Sequence, residues 1–229
     1  MDLDGPRVQP ASGRRASELV ILLHGLGADG TDLIALGDVF ARVLPDAAFV
    51  APHAPYPRDM APFGRQWFSF QAHEPEAVLA RVRAAAPILD TFINRELERH
   101  GLRDDRLALV GFSQGTMMAL FVSLRRAAPC AAVVGYSGAL IGPELLPAEL
   151  KSRPPVLLVH GQADEVVPFP AMPAAVAALE ANGVAVRAAA RPGLGHGIDD
   201  RGLGLGTAML RETLARHGPD ERPAPGPEA

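Results

Sequence analysis

One cysteine, Cys130, is all that the 229 residues contain. No disulfide can close within the chain, and so thiol-poor a composition fits a reducing compartment. Basic runs are missing too. Beyond the pairs Arg14-Arg15 and Arg125-Arg126, the cationic residues lie scattered, and the formal net charge is −4. Nucleic acid is therefore a poor partner for this chain, and so is an anionic membrane surface. No apolar stretch is long enough to span a bilayer, which argues against stable membrane insertion. The opening MDLDGPRVQPASGRRASE lacks the apolar centre of a secretory signal, and the expected location is the cytoplasm. What remains is the composition of an ordinary globular protein, 48% hydrophobic and 21% charged, at a length that one domain can fill. Oligomeric state is not written in the composition, and a homodimer stays open.

Both ends read as loose. Residues 1–17 are polar, and 218–229, DERPAPGPEA at its core, is rich in Pro, Gly and charge, so a flexible lead and a disordered tail are expected around a single domain over 18–217. Inside it, short aliphatic runs at 18–24, 47–52, 106–112, 131–137, 155–161 and 184–190 read as strands. Nearly continuous apolar strands of this kind indicate a parallel sheet covered on both faces. Helical spacing marks 31–44, 74–101, 172–183 and 200–218. Pro87 is expected to kink or divide the second of these, and glycines weaken the first turns of the last. The alternation predicts an α/β fold with a mostly parallel central sheet, helices on both faces, and ligands outside the carboxyl ends of the strands.

Against that pattern, LALVGFSQGTMMAL (107–120) is the informative stretch. Ser113 stands between an apolar strand and an apolar helix, with Gly111 and Gly115 two places to either side. G-x-S-x-G at such a junction is a tight turn that holds one serine in the open. A serine hydroxyl needs an adjacent base, and the base needs an orienting group. In this fold class the chain order is serine, acid, histidine. Asp164, in VHGQADEVVP, is the only aspartate between Ser113 and the late histidines. Of the two histidines that follow, His196 lies in the glycine-rich loop PGLGHGID, while His217 ends the last helix, where a cation suits the helix dipole. Ser113, Asp164 and His196 are the expected triad. Taken singly, Asp164 could instead cap a helix and His196 could be a loop histidine bonded to backbone.

Acyl transfer also needs donors aimed at the developing oxyanion. The amide of Gln114 opens a helix and is not yet engaged. A second donor, the amide of Leu26, is expected from the loop after the first strand, LVILLHGLGADG. GLGADG in that loop also matches the dinucleotide fingerprint. The next strand, however, runs into Pro52-His53-Ala54-Pro55 rather than the acid that would bind a ribose. No HExxH or other ligand spacing suggests a metal.

Together, LHGLGADG, GFSQG, HGQADEVVP and GLGHGID resemble the phospholipase/carboxylesterase family of α/β-hydrolases, relatives of the acyl-protein thioesterases. The motifs span about residues 20–199. The resemblance implies the same triad and the same two oxyanion amides, a small ester substrate, and neither metal nor cofactor. It also implies that APFGRQWFSF, with its pair Trp67-Phe68, forms one wall of an acyl pocket, though Trp67, Phe68 and Phe70 could instead be core. Val166 and Val167 line the same pocket or merely lead the chain into its turn at Pro168. Ser69 stands where thioesterase-like members carry an acid, so the chain looks more like the bacterial carboxylesterase branch. A serine carboxylesterase for short- to medium-chain esters is the expected function. An acyl-protein thioesterase or lysophospholipase using the same triad is the alternative, and a non-catalytic receptor of this fold is a more distant one. Lipases of this fold often insert a cap after the nucleophile helix and its following strand. Here residues 138–154 have room for a short helix and a turn, so no separate cap domain is expected.

Overall fold

The computed structural model describes residues 2–71 and 74–215. The strands are β1 (Arg7–Val8), β2 (Glu18–Leu23), β3 (Ala47–Val50), β4 (Tyr56–Pro57), β5 (Arg65–Gln66), β6 (Leu107–Phe112), β7 (Ala132–Tyr136), β8 (Val156–Gly161) and β9 (Val186–Arg191). The helices are α1 (Gly30–Leu33), α2 (Ala35–Phe40), α3 (Pro75–His100), α4 (Gln114–Ser123), α5 (Leu146–Glu149), α6 (Ala171–Ala181) and α7 (Asp200–Ala215). Seven strands form one sheet in the order β1-β3-β2-β6-β7-β8-β9, while β4 and β5 make a small hairpin. Every pairing from β3 to β9 in the large sheet is parallel, and only β1 runs antiparallel, on β3.

Side chains alternate across each strand, so a strand buried on both sides must be apolar throughout. In β2, Leu19, Ile21 and Leu23 pack on one face with Leu89 and Ile93 of α3 and Met118 of α4. Val20 and Leu22 pack on the other face with Phe40 of α2 and Leu210 and Leu214 of α7. Helix α4 is buried at every position, which fixes the residue at its start against the centre of the sheet.

Three expectations meet a different outcome. The lead 1–17, read as flexible, carries β1, and Arg7 bonds Glu96 at 2.8 Å. Glu96 is almost fully buried, and a buried carboxylate needs a cation, which draws this segment onto the sheet edge. Pro87 does not divide α3: it lies on the exposed side of one continuous helix. Two of the α7 glycines are a packing requirement: a Cβ on Gly206 would come within 2.0 Å of the Tyr136 hydroxyl and one on Gly202 within 2.9 Å of Asp199 Oδ1, whereas Gly204 faces open space. The expected tail 218–229 and His217 lie outside the described residues. Residues 138–154 hold only a 3₁₀ turn and the four-residue α5 between β7 and β8, with no inserted cap.

Candidate active site

Ser113 alone separates β6 from α4. Its backbone sits at φ 54° and ψ −116°, a region that non-glycine residues adopt only when the surroundings enforce it. The enforcement comes from the two glycines. A Cβ on Gly115 would come 1.9 Å from the Leu23 carbonyl oxygen, and one on Gly111 would meet the Thr116 amide at 2.4 Å. Both positions must be bare for the helix to start this close to the sheet. The Ser113 amide donates to Tyr136 O at 2.9 Å, and its carbonyl accepts the amides of Thr116 and Met117. The Thr116 hydroxyl is within bonding distance of both Gly111 O and Tyr136 O, at 2.7 and 2.9 Å. The turn is thereby tied to two strands.

Asp164 follows the end of β8 and His196 follows the end of β9, and the parallel register of these strands brings both loops to one edge of the sheet. His196 Nδ1 donates to Asp164 Oδ2 at 2.8 Å, while Asp164 Oδ1 accepts the amides of Val166 and Val167, both at 2.9 Å. Burial alone would raise the Asp164 carboxyl. The His196 bond and the two amides outweigh it, and the group titrates below its ordinary value. An ionised partner at Nδ1 keeps the proton on that nitrogen and leaves Nε2 as the acceptor. His196 and Ser113 line one cleft of about 550 Å³, together with Gly25, Leu26, Phe70, Met117, Val166 and Val167. The ring of Phe112 lies 4.9 Å from that of His196. No hydrogen bond joins Ser113 to His196 among the described residues. Such contacts are often long before substrate arrives.

The second loop over the cleft begins at His24. His24 Nδ1 donates to Gly25 O at 2.8 Å and Nε2 accepts the Ala54 amide at 2.9 Å. Burial lowers the pKa of this histidine despite the Gly25 bond, which keeps it neutral and able to make both contacts. The hairpin then clamps the loop, with Gly27 N donating to Arg65 O at 2.8 Å and Arg65 N to Ala28 O at 3.0 Å. Between these anchors the Leu26 amide makes no hydrogen bond among the described residues, nor does the amide of Gln114. Leu26 and Ser113 line the same cleft.

Trp67 and Phe68 are corrected as pocket walls, since both are fully buried and neither borders the Ser113 cleft. A buried indole needs a partner for its N–H, and Trp67 Nε1 finds it at His24 O, 2.9 Å away. The Gln114 side chain takes the Trp67 amide on Oε1 and gives Nε2 to Phe68 O, each at 2.7 Å. Phe70, two residues on, reaches the cleft instead, 5.1 Å from the Phe68 ring. Val166 and Val167 do line it, Val166 largely exposed and Val167 beneath.

One neighbour of the acid escaped the sequence reading. His160 is buried, its Nε2 lies 2.8 Å from Val167 O and 3.3 Å from Asp164 Oδ2. It braces the turn that presents the carboxylate. Its position four residues before Asp164 in HGQAD was the available signal. Among the described residues, no group of three His, Cys, Asp or Glu side chains converges as a metal site, and no helix is long and apolar enough to cross a membrane.

Comparison with known proteins adds to this geometry. The family model described as phospholipase/carboxylesterase matches residues 4–213. Esterase YpfH of Escherichia coli K12 is 31% identical over 206 residues, which is 90% of this chain and 87% of that protein. Acyl-protein thioesterase 1 of Neurospora crassa is 30% identical over 208 residues, 83% of this chain and 84% of that protein. Among solved structures, that of esterase PE8 superposes with a TM-score of 0.89 at 44% identity, covering 93% of this chain and all of that one (100%). A carboxylesterase from Mesorhizobium loti gives a TM-score of 0.74 at 25% identity, over 92% and 96% of the two chains.

Proposed function

The chain belongs to the phospholipase/carboxylesterase family and is a serine hydrolase of the α/β-hydrolase fold, and from that premise we propose that Ser113, His196 and Asp164 carry out hydrolysis of short- to medium-chain carboxylic esters. The observation that carries the residue assignment is the Asp164–His196 bond beside the strained Ser113 in one apolar cleft.

In this reading His196 Nε2 takes the Ser113 proton as Oγ attacks the ester carbonyl. The carbonyl oxygen becomes an oxyanion, and the amides of Leu26 and Gln114 are the donors assigned to it. When the tetrahedral adduct collapses, the bond to the alcohol oxygen breaks and His196 returns its proton to that oxygen. The acyl group stays on Ser113. Water, deprotonated by His196, then repeats the attack and releases the acid. Asp164 holds the imidazole in the tautomer these steps need and stabilises its charged form. Met117, Phe70, Val166 and Val167 give the acyl chain an apolar surface. Every residue named lies within the described residues of one chain, so the reaction as proposed needs no second copy. A cytoplasmic location fits the single buried thiol, Cys130.

Thioester hydrolysis is the second reading, favoured by the likeness to the Neurospora thioesterase. The same triad would serve it. Rapid mixing with p-nitrophenyl butyrate tests the acyl-enzyme route. A burst of nitrophenol near one equivalent per chain is expected wherever deacylation is the slower step, and comparison with a palmitoylated peptide separates oxygen ester from thioester. No turnover of any ester or thioester would contradict the assignment.

A further inference from the structure

The Ser113 cleft carries one feature that ester hydrolysis does not require. Its described lining is apolar apart from Ser113, His196 and a single permanent charge, Arg58. Elsewhere in the chain, Arg7, Arg83, Arg125, Arg126, Arg187 and Arg191 each bond a carboxylate. Arg58, like Arg14, Arg42, Arg201 and Arg211, makes no side-chain hydrogen bond or ion pair among the described residues, but of these it alone lines the cleft.

Its place is set by the chain around it. The Arg58 amide donates to Gly64 O at 3.0 Å across the β4–β5 hairpin, and the next residue, Arg65, is paired with Gly27 and Ala28. The guanidinium lies over Gly27, where an added Cβ would be 3.0 Å from a terminal nitrogen. Gly27 follows Leu26, whose amide is assigned to the oxyanion. Gly25, on the other side of Leu26, packs against Ser113, since a Cβ there would be 3.3 Å from Ser113 Cβ. A fork of N–H donors with no acceptor among the described residues thus stands at the mouth of an apolar cleft, over a glycine two residues from the one that touches the nucleophile. Such a group recognises carboxylate or phosphate oxygens bidentately.

We propose that Arg58 is a specificity residue that selects esters bearing an anionic group, carboxylate or phosphate, beyond the scissile bond. The inference rests on the serine-esterase reading above. A permanent cation at the mouth raises the local concentration of anionic substrate and offers it a directed pair. The apolar walls accept the carbon chain between that anion and the ester. The pair is open to solvent, so its contribution is modest and falls with salt.

The test compares matched esters that differ only in charge. On the acyl side these are p-nitrophenyl hemiglutarate and its methyl-capped neutral form. On the alcohol side they are 4-acetoxybenzoate and its methyl ester. The quantity read is the charged-to-neutral ratio of kcat/KM, compared between wild type and variant so that intrinsic reactivity cancels. Arg58→Gln should lower that ratio about fivefold for at least one pair, Arg58→Lys should restore most of it, and Arg58→Glu should lower it further. The wild-type ratio should also fall as NaCl rises from 20 to 500 mM. Which pair responds locates the anion on the acyl or the alcohol side. Ratios unchanged in Arg58→Gln and Arg58→Glu for both pairs would overturn the proposal. Turnover retained in Ser113→Ala would instead overturn the catalytic reading, so the two failures are distinguishable.

Discussion

Gln114 Oε1 accepts the backbone amide of Trp67 at 2.7 Å, deep beneath the cleft. Because Trp67 also bonds His24 O through its indole, one buried residue ties together the two segments whose amides are assigned to the oxyanion. Positioning of this kind affects chemistry more than ground-state binding, because the oxyanion exists only in the transition state. Trp67→Phe keeps most of the ring and deletes the N–H, leaving His24 O buried without that partner. We expect kcat to fall about tenfold with KM little changed, the loss of roughly 1.4 kcal/mol of transition-state stabilisation. Steady-state kinetics on a soluble ester checks this, with circular dichroism confirming the fold. A raised KM at unchanged kcat would assign the residue to substrate binding after all.

Gly115 allows no side chain. Gly115→Ala would drive a methyl group into the Leu23 carbonyl, and the backbone of β2 cannot yield as a flexible side chain could. A destabilisation of about 3 kcal/mol is expected, read as a lowered urea midpoint. An unchanged midpoint would mean that α4 starts farther from the sheet than described.

Asp164, the acid assigned to the proposed triad, also bears on acid stability. Its carboxyl titrates below the ordinary value in the fold, so the folded chain holds fewer protons there than the unfolded chain. The sign follows: this contribution is complete above the unfolded pKa of about 4 and fades as pH drops through the lower folded value. Asp164→Asn should be less stable than wild type at neutral pH, and the gap should narrow below about pH 4. Urea denaturation at pH 3 to 7 measures it. The same variant should lose roughly 10⁴-fold in kcat through the wrong imidazole tautomer.

Cys130 is buried and is assigned no part in the proposed reaction. Burial pushes its thiol up to about 12, far from the thiolate range that reactivity needs. Native protein should resist iodoacetamide and keep full esterase activity, whereas protein in 6 M guanidinium should alkylate at one site. Rapid native alkylation with loss of activity would contradict the buried placement.

Much of this was legible in the sequence because it is local. G-x-S-x-G reports a turn that only two bare positions permit, and the apolar runs that became β2, β6, β7 and β8 are buried on both faces. Asp164 and His196 were reachable through chain order and through loops that follow strand ends. Trp67 was not, because a large aromatic near a cleft reads alike as wall or as core, and its partners, His24 O and the Gln114 side chain, are 43 and 47 residues away in sequence. The same distance hid β1: nothing local in the polar opening tells that Arg7 answers a buried carboxylate at Glu96, 89 residues on. Arg58 had no motif of its own, and His160, although it opens HGQADEVVP, gains its role beside Asp164 only once the loop is folded.

The central claim is that Ser113 is an activated nucleophile, and covalent labelling addresses it directly. Wild-type protein treated with a fluorophosphonate probe, digested and read by mass spectrometry should carry one adduct, on Ser113. Ser113→Ala should carry none, and His196→Ala should label far more slowly than wild type. An unlabelled wild type, or an adduct on another serine that survives in Ser113→Ala, would contradict the account.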